Sequence, residues 1–75
     1  MTLSIRHIRY FIAAAESGQI SRAAIELGIS QSAVTAAVKQ IESEVGAQLL
    51  ERHAHGVTLT LEGSRFLRHA RTIMA

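Results

Sequence analysis

Apolar residues at Ile5, Ile8, Ile12 and Ala15 recur at helical spacing, Phe11 widens that side, and Gly18 follows as a stop. The pattern predicts an amphipathic helix over 5–17. Ser21 is positioned to cap a short second helix running through Leu27, with Ala23, Ala24 and Leu27 as its packing side and Gly28 as its end. Only Ile29 and Ser30 separate that end from the next start. After Ser30, a good N-cap, Val34, Val38, Ile41 and Val45 form an i, i+4, i+7, i+11 stripe that closes at Gly46, which makes this the longest helix.

Beyond Gly46 the period changes. "LLER" and "VTLT" have strand composition and flank "HAHG", which predicts a β-hairpin with Val57 and Leu59 inward, Thr58 outward and Gly56 at a positive φ. Thr60 then caps a last helix in which Phe66, Leu67, Ala70, Ile73 and Met74 share one face. The chain has no proline, so every boundary rests on glycines and capping residues. No repeat, linker or low-complexity segment interrupts it.

Helix, short helix, a turn containing Gly28, long helix and hairpin is the order of a mainly α, winged helix-turn-helix fold, whose second motif helix enters the DNA major groove. A plain three-helix bundle shares the helices. Ala24 and Gly28 favour the former, because the two helices of the motif cross closely and need a small residue and a tight turn.

Composition narrows the picture from other directions. Seventy-five residues make one small domain, which buries only about 60% of its unfolded surface, so leftover apolar surface is expected to meet a second copy or a further domain. Eight Lys and Arg against six Asp and Glu leave a net charge of +2, too little to prove a nucleic-acid partner by itself. Absence of Cys excludes disulfides and thiolate zinc sites and is compatible with a reducing cytoplasm, the expected location. The apolar run after Arg9 closes at Glu16, too short for an export signal, and no run approaches the roughly 20 residues of a membrane span.

The segments "SRAAIELGISQSAVT", "IESEVGAQLLER" and "VTLTLEG" together resemble the N-terminal DNA-binding domain of LysR-type transcriptional regulators, over nearly the whole chain. That resemblance implies a winged helix-turn-helix over 1–60 and a linker and dimerisation helix over 61–75, the latter through Phe66, Leu67, Ala70, Ile73 and Met74. It further implies a homodimer on an interrupted palindromic double-stranded DNA operator, with a tetramer left open for the parent. A small-molecule effector would act only through a C-terminal domain absent from this sequence. Ser30, Gln31, Ser32 and Thr35 match the opening of the family's recognition helix, and Arg52 and Gly56 match its wing. Where several members carry Arg, this chain has Ala36 and His55, so operator sequence and affinity do not carry over.

At 100° per residue, Ser32, Ala36, Lys39 and Ser43 lie opposite the apolar stripe of the long helix. Gln31, Ser32, Thr35 and Ala36 are therefore the base-reading candidates: Gln pairs with adenine, Thr contacts base or phosphate, and a small Ala admits the helix deep into the groove and offers a methyl to thymine. The alternative is an alanine that merely faces solvent. Ser30, Lys39 and Arg52 are the candidates for the DNA backbone, with Arg6, Arg9 and Arg22 at the margins, while His53, His55 and Gly56 form the wing. Arg65, Arg68 and Arg71 alternate around the last helix and receive no DNA role.

No nucleophile elbow, phosphate loop or carboxylate pair occurs, so no catalytic residue and no cofactor are expected. His53, His55 and His69 lack an acidic second shell and are not read as a metal site. A pure protein-interaction module remains the serious alternative, since the apolar last helix and Tyr10 need cover.

Overall fold

The computed structural model describes residues 3–75. Ser4 accepts a hydrogen bond from the His7 amide at 3.2 Å and starts α1 (Ile5–Ser17), a cap the periodicity did not reveal. The next helix, α2 (Ile20–Leu27), begins before the predicted Ser21. Gln19 is the extended N-cap residue and its carbonyl already accepts from the Ala23 amide, so Ser21 falls inside the first turn. The reason is the chain reversal at Gly18, which delivers Gln19 in helix-starting geometry; the Ser17 hydroxyl steadies it by donating to the Gln19 carbonyl at 3.0 Å.

The turn closing α2 is made by bonds from the Gly28 amide to the Ile25 carbonyl and from the Ile29 amide to the Ala24 carbonyl. Ser30 then caps α3 (Gln31–Val45) as expected, accepting from the Ala33 amide at 3.1 Å. Val34, Val38 and Ile41 are buried, but Val45 is 40% exposed, because the helix ends at Gly46 and its last turn overruns the core. Ala37 joins the buried side in its place.

Strands β1 (Leu50–His53) and β2 (Gly56–Leu59) pair antiparallel in the register Leu50 to Leu59, Glu51 to Thr58, Arg52 to Val57 and His53 to Gly56. The hairpin is one residue longer at its tip than "LLER" and "VTLT" suggested, leaving Ala54 and His55 as the turn. Leu49, expected at the start of the strand, instead sits in the centre of the core. Thr60 caps α4 (Leu61–Met74) by accepting from the Gly63 amide at 2.9 Å, and its hydroxyl donates to the Gln48 carbonyl.

α1 is the hub: it touches all three other helices and β2. Phe11 from α1, Val34 and Ile41 from α3, and Leu49 from the α3–β1 turn are the largest fully buried side chains. Gly63 allows α4 to join them. A Cβ on Gly63 would overlap the Leu49 carbonyl oxygen, so only a glycine lets the first turn of α4 lie against that backbone.

Candidate nucleic-acid interface

α3 presents one polar side to solvent. Gln31, Ser32, Ala36, Lys39 and Ser43 are exposed and Thr35 is half-buried, as expected for the face opposite the apolar stripe. Ser30 begins this surface rather than contributing a free hydroxyl, since its Oγ holds the Ala33 amide and lies 3.1 Å from the Ser32 Oγ. The open end of the helix carries the positive pole of its dipole and suits an anion.

The hairpin stands beside that face. Side chains alternate along a strand, so Leu50 and Arg52 lie on the side of Val57 and Leu59, turned toward the helices, while Glu51, His53 and Thr58 face away. Arg52 reaches across to α3 and its Nη2 donates to Thr35 Oγ1 at 2.6 Å. Two candidates assigned separately to base and backbone contact are thus one hydrogen-bonded pair. On the outer side His53 Nε2 lies 2.7 Å from Thr58 Oγ1, a diagonal cross-strand bond that stiffens the strands.

Gly56 has φ +144, and a Cβ there would overlap the Gly18 carbonyl oxygen. Its role is therefore a close approach as well as a permissive conformation. The Val57 amide donates to the same Gly18 carbonyl at 2.8 Å, and Gln19 Nε2 donates to the His55 carbonyl at 3.5 Å. These bonds fasten the hairpin tip to the α1–α2 turn. An open groove of about 450 Å³ runs between the two, lined in part by Gln31, Arg52, His53, His55 and Gly56. A second, of about 280 Å³, lies between α3 and the strands and includes Thr35, Lys39 and Arg52. Ser32 and Ala36 border neither groove and stand on the open face.

The residue that sequence reasoning missed is Glu42. Its Oε2 accepts from the amides of Leu49 at 2.8 Å and Leu50 at 3.3 Å, tying the start of β1 to α3. A signal existed: the turn after Gly46 leaves backbone amides that need an acceptor, and Glu42 is the acidic residue one turn before the stop. Gln48 completes the joint by donating to the Leu50 carbonyl at 3.0 Å.

The last helix is placed differently from the expectation that its apolar face exceeds what one core covers. Leu67 and Ala70 are buried in the chain's own core, and Phe66 packs edge-on against Phe11 with ring centroids 5.2 Å apart. Ile73 remains 57% exposed and Met74 half-buried. Arg71 also does more than solubilise, since it meets Glu16 of α1 at 3.2 Å. His69 is exposed on α4, and among the described residues no group of three His, Cys, Asp or Glu gathers as a metal site would require. No helix among the described residues is long and apolar enough to cross a membrane.

Comparison with known proteins matches residues 5–64 to the model of the bacterial regulatory helix-turn-helix protein, lysR family. The chain is 40% identical to the uncharacterized HTH-type transcriptional regulator YnfL of Escherichia coli (strain K12), covering 100% of this chain and 25% of that protein. It is 42% identical to the HTH-type transcriptional regulator TfdT of Cupriavidus pinatubonensis, covering 97% of this chain and 32% of that one. The chain therefore spans about a quarter to a third of the length of these relatives. Among solved structures, the crystal structure of the CbnR DNA-binding domain in complex with DNA superposes with a TM-score of 0.92 at 41% identity, over 95% of this chain and 82% of that one. An exposed polar face on α3, a hairpin locked beside it and these likenesses agree: the chain belongs to the LysR family of bacterial regulatory helix-turn-helix proteins.

Proposed function

We propose that the chain is the reading head of a transcription regulator that binds double-stranded DNA sequence-specifically, with α3 in the major groove and the hairpin tip at the minor groove. The observation that carries this reading is the exposed side of α3, which offers Gln31, Ser32, Thr35 and Ala36 beside a hairpin whose tip is fastened to the α1–α2 turn. The likeness to a DNA-bound relative supports it. Lys39 and Arg52 supply the charge for phosphates, His55 takes the wing position next to the minor groove, and no reaction is assigned to the chain. The setting is the cytoplasm, where the operator lies.

The functional unit of this reading is a homodimer held through α4, with two heads on two half-sites. A C-terminal domain of the parent would receive the effector. Ile73 is the exposed member of the proposed dimer set, and Leu61 on the same helix is 63% exposed. Leu67 is a poor probe because it is buried in the protomer. Sedimentation of the wild type and of Ile73→Glu should give dimer and monomer, respectively; a monomer in both at high concentration removes α4 as the interface.

Selection of bound sequences from random duplexes, repeated across salt, tests the central claim. The expected result is a preferred motif whose affinity falls steeply and log-linearly with salt. Binding without sequence preference or salt dependence would favour a protein-interaction module.

A further inference from the structure

The contact between Arg52 and Thr35 bears on what α3 can recognise, granted the reading that this face meets DNA. We propose that the two side chains act as one recognition unit: Arg52 occupies the acceptor side of the Thr35 hydroxyl, so Thr35 offers DNA a proton and pairs with a hydrogen-bond acceptor.

A threonine hydroxyl is ordinarily ambivalent, with one proton to give and lone pairs to receive. Alone on a helix face it would meet donor or acceptor equally well. A guanidinium has only donors and keeps its charge at any physiological pH. With Arg52 Nη2 2.6 Å from Thr35 Oγ1, the bond has one possible direction, arginine to threonine. The hydroxyl proton must then point away from the cation, and that cation polarises the O–H into a stronger donor. It also repels the partial positive charge of an approaching amino group.

The arginine is held where it can do this. It lies on the inner side of β1 opposite Val57, and that pair is braced by the bond from the Val57 amide to the Gly18 carbonyl. Arg52, Thr35 and Glu42 border the same groove, but the Glu42 Oε2 is engaged by the Leu49 and Leu50 amides. The wing thereby sets the polarity of a side chain on the reading helix. In the major groove the matching acceptors are guanine N7 and O6, adenine N7 and thymine O4; cytosine and adenine amino groups are disfavoured, since they would have to reach the hydroxyl's remaining lone pair beside the cation. A phosphate oxygen has the same acceptor chemistry.

The test uses a duplex selected by the wild type, with single-position analogues that delete one acceptor: 7-deazapurines for N7, 2-aminopurine for guanine O6, a pyrimidine lacking O4 for thymine, and a methylphosphonate for each phosphate in turn. Thr35→Val should lose roughly threefold to tenfold in affinity, the scale of one hydrogen bond, and Thr35→Ser should recover it. One analogue should cost the wild type the same factor and cost Thr35→Val nothing; a base analogue assigns the acceptor to a base edge, the methylphosphonate to the backbone. In Arg52→Leu the preference at that position should relax, because the hydroxyl can then turn either way. Matching thermal unfolding of all variants separates this from a folding defect. The proposal is overturned if the loss seen in Thr35→Val is reproduced only by deleting an amino group, with purine for adenine or 2-pyrimidinone for cytosine, if no analogue separates wild type from Thr35→Val, or if Arg52→Leu lowers affinity without relaxing preference. In those cases specific, salt-dependent binding by the wild type still stands; its absence would remove the DNA reading itself.

Discussion

The front of the molecule, where the hairpin stands beside α3, and the back, where α4 lies on α1, are joined by opposite chemistries. At the front the joints are polar: Glu42 to the Leu49 and Leu50 amides, Arg52 to Thr35, Val57 to Gly18. At the back they are apolar and tight, with Leu67 and Ala70 buried, Phe66 edge-on to Phe11, and Gly63 against the Leu49 backbone. Hydrogen bonds fix direction and distance, whereas packing supplies most of the free energy in a small domain. The contrast therefore assigns geometry to the front and stability to the back, and substitutions on the two sides should fail differently.

The largest effect is expected at Gly63. It lies within α4 rather than at a turn, so helix propensity alone would have Gly63→Ala stabilise the protein by about 1 kcal/mol. Packing points the other way, because the new methyl would overlap the Leu49 carbonyl oxygen and force α4 off the core, at a cost of about 3 kcal/mol. Packing should win. Urea unfolding of Gly63→Ala should show a net loss of roughly 2 kcal/mol; a gain would mean the back is looser than its contacts imply.

At the front, Glu42→Ala should cost less, about 1.5 kcal/mol, because two backbone amides lose a charged acceptor in a half-buried place where water can partly replace it. Its distinctive consequence is geometric. With β1 released from α3, sequence preference in DNA binding should weaken more than the salt-driven background does, while Gly63→Ala, measured where it is still folded, should leave preference intact. Parallel losses of preference in both variants would erase the proposed division of labour.

How much of this was legible in the sequence follows the same division. The apolar periodicity located all four helices and the buried Val34, Val38 and Ile41, because burial imposes a repeat that can be counted. The exposed set of Ser32, Ala36, Lys39 and Ser43 followed as its complement. What periodicity could not carry was contact between residues far apart in sequence. Glu42 and Gly63 carry no periodic signal, and Leu67 and Ala70 read as apolar surface in need of cover, since the partners of each lie on other elements. Gly56 was found for its positive φ, yet the Gly18 carbonyl against it comes from 38 residues earlier. The pairing of Arg52 with Thr35 was equally out of reach.

A smaller effect at the front concerns Ala36. If its methyl meets a thymine methyl, replacing single thymines by deoxyuridine in a half-site should weaken binding at one or two positions by about 0.8 kcal/mol each, the scale of one buried methyl group. Changing the DNA leaves α3 untouched. Ala36→Leu should lift the helix from the groove and reduce specific binding far more than non-specific binding. A uniform response to uracil, with Ala36→Leu behaving as wild type, would leave base reading to Gln31, Ser32 and Thr35.

The smallest effect is expected from the charged link across the back between Arg71 and Glu16, and its smallness is what tests the comparison. Arg71 and Glu16 meet at 3.2 Å, and the guanidinium donates through both Nε and Nη2 to the same carboxylate oxygen, but the two side chains are 58% and 51% exposed. Water competes for both partners, and holding two long side chains in register costs conformational freedom, so the coupling should be only about 0.3 kcal/mol. A double-mutant cycle of Arg71→Ala and Glu16→Ala in low salt measures it free of the separate effect of each truncation. Raising the salt should erase it, since exposed charges are screened. A coupling near 2 kcal/mol that survived high salt would show the back to be held by charge as much as by Phe11, Phe66 and Gly63, and the contrast between a polar front and a packed back would fail there first.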